Sequence, residues 1–233
     1  MDRVPADKRI LFEPAMLLCL FYLPLMIQQS PTTDFSAFNN PDFHILYYIK
    51  ILPQIVLTLY LMKYSSVNIE LIPNPASWSD FYGLRKPALS IFFIIPALTI
   101  GLWIINIIGS FVSRFIVNPD LDIIPRWEVN SISAMIMFFF TSQVTGWSEE
   151  MFFRGFLLRR ILVLSENPLG PIIFTSLIFA AGHLYQGAAG FIVTFGIGLA
   201  LSYYYYKRND LAAISIAHGL YNFSIMLIAY IAK

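Results

Sequence analysis

About seven apolar runs alternate with short polar breaks along the chain, and each is long enough to cross a membrane as a helix. The first, Ile10 to Ile27, follows Arg3, Lys8 and Arg9 and superficially looks like a secretory signal. Its length is that of a span and no small-x-small cleavage site follows it, so it is read as helix 1. Gln28 to Pro41 is a polar loop without lysine or arginine, and helix 2 runs from about Phe43 to Met62 through Lys50 and Pro53. Lys63 to Lys86 is a Pro-, Asn- and Ser-rich connection with a short interfacial piece expected at Trp78 to Leu84, and helix 3 covers about Pro87 to Val112. Arg114 to Asn130 is polar again and gives the best internal boundary. Beyond it lie helix 4 (Ser131 to Leu164), helix 5 (Leu169 to Tyr185), helix 6 (Ala188 to Tyr206) and helix 7 (Asp210 to Ala232). The breaks between these four are Glu166-Asn167-Pro168, Gln186-Gly187 and Lys207-Arg208-Asn209. No internal repeat of the kind that builds two-halved transporters is visible.

Composition narrows the class. Of 233 residues 58% are hydrophobic and 12% charged, about half the charged share of roughly 25% expected in soluble domains. Only helices and closed barrels satisfy the backbone in lipid, and runs this long and continuous are not barrel strands. The expected fold is therefore an all-α, polytopic membrane bundle of about seven helices. Residues 1–130 form an N-terminal membrane region of about three helices, and residues 131–233 form a four-helix core. A net charge of +1, with no basic block or phosphate-binding glycine loop, implies no nucleic-acid partner. The single cysteine, Cys19, excludes a disulfide within the chain or a cysteine metal cluster.

Charge bias sets an expected orientation. Ten Lys and Arg residues counted outside the spans lie on one side, at the N-terminus and in the second, fourth (Arg159 and Arg160) and sixth connections. Arg114, Arg126 and Lys233 lie on the other, which places the N-terminus in the cytoplasm. The lipid bilayer, in a bacterial or archaeal plasma membrane, is the expected setting.

The candidate chemistry stands out against this background. Glu149 and Glu150, followed by Arg154, interrupt a run that is otherwise uncharged from Ile132 to Thr145. A charge at the centre of a membrane helix costs roughly 2.5–3.5 kcal/mol on insertion scales, so three together need mutual pairing and a reason to be kept. Glu150 and Arg154 are four apart and share a helix face, while Glu149 is turned about 100° away and is left to face another target. His183 ends Phe179-Ala180-Ala181-Gly182-His183 on helix 5, and His218 begins His218-Gly219-Leu220-Tyr221-Asn222 on helix 7. At about 1.5 Å per residue Glu149, His183 and His218 lie roughly 16, 21 and 12 Å from the cytoplasmic ends of their helices, which puts all three in one layer.

Singly, each feature has a plainer reading. Glu150 with Arg154 can be a structural ion pair, and a lone membrane histidine more often bonds a neighbouring helix than performs chemistry. His44 is placed at a loop edge without a role. Tyr203 to Tyr206 beside Lys207 and Arg208 reads as an interfacial aromatic belt, and Phe138 to Phe140 as lipid-facing or packing surface.

Together these motifs resemble the CPBP intramembrane endopeptidases, the family that includes CAAX prenyl proteases and bacteriocin-processing or abortive-infection proteins. Glu149-Glu150-x-x-x-Arg154 with Gly155, Phe179-x-x-x-His183 and His218-x-x-x-Asn222 match the family's three motifs in family order, over about Ser131 to Lys233. The resemblance implies an intramembrane hydrolase acting on a peptide or protein near the cytoplasmic face. It also implies an allocation of roles that the residues independently permit. Glu149 is the general base toward water, His183 orients that water, and His218 and Asn222 donate to the oxyanion. Glu150 with Arg154 holds the helix face that presents Glu149. A zinc form of the same protease remains as an alternative, with Glu149, His183 and His218 as ligands. A glutamate-activated water without a cofactor is favoured. Other function classes are a non-catalytic binder, such as a bacteriocin-immunity protein, and a proton-coupled transporter using the same groups as a relay. The first 130 residues show no comparable match, so substrate choice is not carried over.

Overall fold

The computed structural model describes residues 9–23, 36–64, 90–117 and 129–232. The loop from Gln28 to about residue 35, the interfacial piece at Trp78 to Leu84 and most of the Arg114 to Asn130 connection lie outside the described residues, as does the far end of helix 1 at Ile27. The architecture is all-α, and the described residues contain no strand.

Helix α1 (Arg9–Leu17) continues into a π-helical turn, Leu18–Tyr22. A 3-10 turn (Ser36–Asn39) precedes α2 (Pro41–Tyr64), and α3 spans Ser90–Ile116. Next come α4 (Ile132–Glu150), a π-helical segment (Met151–Leu158) and α5 (Arg159–Val163), which form one continuous rod because both junctions keep right-handed helical backbone angles. The chain ends with α6 (Leu169–Ala181), a 3-10 turn (Leu184–Gln186), α7 (Gly187–Arg208) and α8 (Leu211–Ile231). Two stretches depart from the sequence expectation. The fourth run is not α-helical throughout, and the fifth helix stops at Ala181, four residues short of Tyr185.

Local chemistry explains the boundaries. Ser131 opens α4 by accepting from the Ala134 N–H at 3.1 Å, and Asp210 opens α8 by accepting from Ala213 N–H at 3.0 Å. Between α7 and α8, Asn209 takes a left-handed conformation (φ 49°) and returns its N–H to Tyr205 O at 2.7 Å. Gly187, at φ 80°, makes the turn into α7.

Among the described residues four helices are long and apolar enough to cross a membrane: Pro41–Tyr64, Phe92–Ile116, Leu184–Arg208 and Leu211–Ile231. Ile10–Tyr22 and Leu169–Ala181 are shorter apolar helices. The outside of the bundle is greasy, with Ile45, Leu52, Phe92, Ile107 and Phe115 all well exposed, while Glu150, Arg154 and Arg160 are fully enclosed. That distribution, apolar outward and charged inward, suits a lipid solvent.

Packing is led by α4 against α8, α7 against α6 and α3, α3 against α8, and α2 against α4. Small residues allow the closest approaches. A Cβ on Gly146 would lie 2.6 Å from Ser215 O, and one on Gly219 would lie 2.7 Å from the Gln143 amide, so α4 and α8 meet nearly backbone to backbone. A Cβ on Gly198 would come within 3.0 Å of Ser176, which joins α7 to α6 in the same way. Helix α3 is tied to α8 by hydrogen bonds from Trp103 Nε1 to Ser224 Oγ (2.8 Å) and from Asn106 Nδ2 to Tyr221 Oη (2.5 Å).

Candidate active site

The close α4–α8 seam brings the two carboxylates to His218. Glu150 Oε1 accepts from Arg154 Nη1 at 2.8 Å and from His218 Nδ1 at 2.8 Å, in a place where Glu150 has no exposure at all. The expected ion pair is present, and it has a third member. Glu149 is not turned to a separate target. Its Oε2 lies 3.8 Å from the other nitrogen of the same ring, His218 Nε2, and its side chain keeps 19% exposure. His218 is thus held between adjacent carboxylates, one fully buried and one partly exposed.

Arg154 explains how a guanidinium survives here. Nη1 goes to Glu150, Nε donates to Ser202 Oγ at 3.2 Å, and Nη2 donates to the Gly198 carbonyl at 3.2 Å. Its flat face lies 4.5 Å from the centre of the Phe179 ring. The phenylalanine of the second motif is therefore a platform for the arginine of the first, and it also contacts His183 (4.8 Å between centroids) and His218 (5.9 Å). The π-helical segment contributes to this arrangement. All eight of its residues are buried, which a regular amphipathic helix does not achieve, and wide-turn insertions of this type recur at functional sites.

His183 does not sit inside a helix. It occupies the turn after α6, at φ −111° and ψ 12°, and its Nδ1 bonds the Phe179 carbonyl at 2.9 Å. A carbonyl only accepts, so Nδ1 carries the proton, and a neutral His183 presents a bare Nε2. Glu149 and His218 are both within electrostatic range of that ring. Asn222, one turn beyond His218 on α8, is half-buried and its amide makes no hydrogen bond with the described residues. The structure thus joins Glu149, Glu150, Arg154 and His218 directly, and links His183 to them through Phe179.

The zinc alternative requires three ligands facing one point. Among the described residues no group of three or more His, Cys, Asp or Glu side chains is arranged to hold a metal ion. Glu150 engages only the Nδ1 of His218, and Nε2 is the ring nitrogen on the side of Glu149.

Several residues around the site were not singled out by sequence. His44 is buried in α2 rather than at a loop edge, bonding Thr141 Oγ1 at 2.7 Å and the Phe38 carbonyl at 2.9 Å. Arg160, assigned to a cytoplasmic connection, is fully buried and pairs with Glu13 of α1 at 2.5 Å, with Phe156 beneath it at 4.3 Å. Tyr22 stacks on Phe152 (4.6 Å), accepts from Gln54 Nε2 (2.5 Å), and like Tyr47 is within electrostatic range of Glu149. The isolated amide of Gln54 in an apolar helix was the one sequence signal for this group. Tyr203 and Tyr206 are exposed under Lys207, as an interfacial belt requires, whereas Tyr205 turns inward.

Residues 131–224 match the family model described as type II CAAX prenyl endopeptidase, Rce1-like. This segment contains all three motifs and every residue of the charged cluster. No curated protein and no solved structure matches the chain.

Proposed function

We propose that this chain, which belongs through residues 131–224 to the CAAX-type intramembrane endopeptidase family, a family of peptide hydrolases, cleaves its substrate with a water activated by Glu149. The observation that supports this most is His218 held between Glu150 Oε1 at 2.8 Å and Glu149 Oε2 at 3.8 Å. A buried ion pair alone requires Glu150 and Arg154. It has no need of a second carboxylate at the far nitrogen of the same imidazole.

In this reading Glu149 takes a proton from water as the water oxygen bonds to the scissile carbonyl carbon, and His183 Nε2 accepts the water's other hydrogen bond. The carbonyl oxygen becomes an oxyanion that receives hydrogen bonds from His218 Nε2–H and the Asn222 amide. Glu149 then returns the proton to the amide nitrogen as the C–N bond breaks, releasing an amine and a carboxylate. For its role His218 carries a proton on each nitrogen. Two carboxylates, one guanidinium and one imidazolium then sum to no charge, the arrangement that low dielectric favours. During the first step the negative charge moves from Glu149 to the oxyanion with His218 beside both. Glu150 and Arg154 do not touch substrate and hold the His218 ring in place. These steps call on no metal. The site lies toward the cytoplasmic side, with the N-terminus in the cytoplasm, in keeping with the distribution of Lys and Arg along the chain.

The test compares membranes carrying the intact protein with membranes carrying Glu149→Ala. The intact form should generate a new peptide terminus and the variant should not, with a loss of about 10²–10⁴ in rate and normal folding. Equal termini from both forms would reject the assignment. A binder that protects through the same residues without hydrolysis would keep its protection in Glu149→Ala.

A further inference from the structure

The seam between α2 and α4 contains several hydroxyls, and proton counting shows which of them still has a proton to give. His44 bonds the Phe38 carbonyl through Nε2 at 2.9 Å, so in the neutral ring Nε2 donates and Nδ1 accepts from the Thr141 hydroxyl at 2.7 Å. Tyr48 is then the donor in its 2.9 Å bond to Thr141 Oγ1. Thr145 donates to the Thr141 carbonyl at 2.8 Å, which makes Tyr47 the donor in its 2.6 Å bond to Thr145 Oγ1. All these protons are committed within the seam.

Tyr22 is different. Gln54 Nε2 can only donate, so the Tyr22 oxygen is the acceptor in their 2.5 Å bond, and the phenol's own proton has no acceptor among the described residues. Tyr22 is 8% exposed and Gln54 5%, so bulk water does not readily supply one. The ring is fixed by stacking on Phe152 at 4.6 Å and by an edge contact with Phe153 at 5.0 Å, both in the segment that directly follows Glu149 and Glu150. Glu149 Oε2 is the complementary group: a buried acceptor with no hydrogen bond among the described residues. The carboxylate and the phenol are within electrostatic range of each other. Phe152 and Phe153 lie three and four residues after Glu149, so the Tyr22 ring packs on the helix face that carries this carboxylate. A buried donor and a buried acceptor left open on one face mark a place for water.

We infer that Tyr22 is a positioning residue for the hydrolytic water, its hydroxyl donating to the water that Glu149 holds, with Gln54 fixing the phenol's direction. The inference rests on the hydrolase reading. The water gives one proton toward Glu149 Oε2 and one toward His183 Nε2, accepts one hydrogen bond from Tyr22, and keeps a lone pair for the carbonyl carbon. No bond to Tyr22 is made or broken. The N-terminal helices would then supply part of the working site, although the family match begins only at residue 131.

Tyr22→Phe keeps the stacked ring and removes only the proton, so it separates positioning from packing. The full chain is reconstituted in vesicles and assayed with an internally quenched peptide built on the new terminus found in the membrane comparison. Tyr22→Phe should lower kcat about tenfold and leave KM within about twofold. Gln54→Leu should lower kcat less, and the double variant should be no slower than Tyr22→Phe alone, because Gln54 acts through the hydroxyl. Wild-type kcat in Tyr22→Phe, or losses that simply add, would overturn the inference. A second measurement needs no turnover: the infrared carboxylate band of Glu149, assigned by its loss in Glu149→Gln, should shift in Tyr22→Phe. An unshifted band would also overturn it. If the band shifts while the wild type cleaves nothing, the hydrolase reading fails and the link between Tyr22 and Glu149 stands.

Discussion

The two walls around Glu149 are built from different chemistry. The wall made by α4, the π-helical segment and α8 carries ions: Glu150, Arg154 and His218, all buried and bonded to one another. The wall made by α1, its π-helical turn and α2 carries Tyr22, Gln54, Tyr47, Tyr48 and His44, of which His44, Tyr47 and Tyr48 bond the hydroxyls of Thr141 and Thr145 on α4 while Gln54 bonds Tyr22. Burying an ion demands a partner within the same structure, whereas a neutral hydroxyl needs only one hydrogen bond and tolerates exchange of that bond for water. The ionic wall is consequently rigid and its members are mutually dependent. The neutral wall is free to differ in detail, and it lies outside the family match.

That contrast can be broken at the ionic wall first. Arg154→Ala leaves Glu150 charged and enclosed, and should destabilise the fold by about 3–5 kcal/mol, read as a lower midpoint of thermal unfolding in detergent. A melting temperature unchanged from wild type would mean that Glu150 is not ionised in its pairing with Arg154. Next comes the backbone contact on which the wall depends. Gly146→Ala places a methyl against the Ser215 carbonyl and should cost about 1–3 kcal/mol by forcing α4 from α8. Because the same seam sets the 3.8 Å spacing of Glu149 from His218, cleavage by the folded fraction should fall as well. Normal activity per folded molecule would show that this spacing is loosely held. The smallest effect belongs to the neutral wall. Tyr48→Phe removes one hydroxyl bond to Thr141 and should cost about 0.6 kcal/mol, the average for side-chain bonds between membrane helices. Cleavage should be unchanged, and a loss as large as that of Arg154→Ala would dissolve the distinction between the walls.

How well the chain could be read follows the same division. Glu149, Glu150, Arg154, His183, His218 and Asn222 were visible because polar residues in apolar runs are conspicuous, and because a four-residue spacing places pairs on one face. The pairing of Glu150 with Arg154 needed nothing more. Its further bond to His218 could not be read, since it joins residues 68 apart through the meeting of Gly146 and Gly219 with the opposite helix. The helical repeat put Glu149 and Glu150 about 100° apart, yet both reach one imidazole because its two nitrogens point in different directions. His183 was placed inside a helix by the length of its apolar run, but the chain leaves the helix at Ala181. Arg160 and His44 were misjudged for one reason: position near the end of a run says nothing about which neighbour closes over it.

Alternating apolar and polar lengths were enough to establish an all-α membrane bundle, since a lipid solvent leaves the backbone few options and long uncharged runs announce them. Motif spacing was enough to nominate the reactive side chains. Tertiary structure decided how they combine: that Glu150 takes one nitrogen of His218 and Glu149 approaches the other, that Phe179 carries Arg154, and that Tyr22 accepts from Gln54 and keeps its own proton uncommitted among the described residues. These are contacts between distant segments, fixed by helix packing and by the sharing of protons, and periodicity along one chain contains neither.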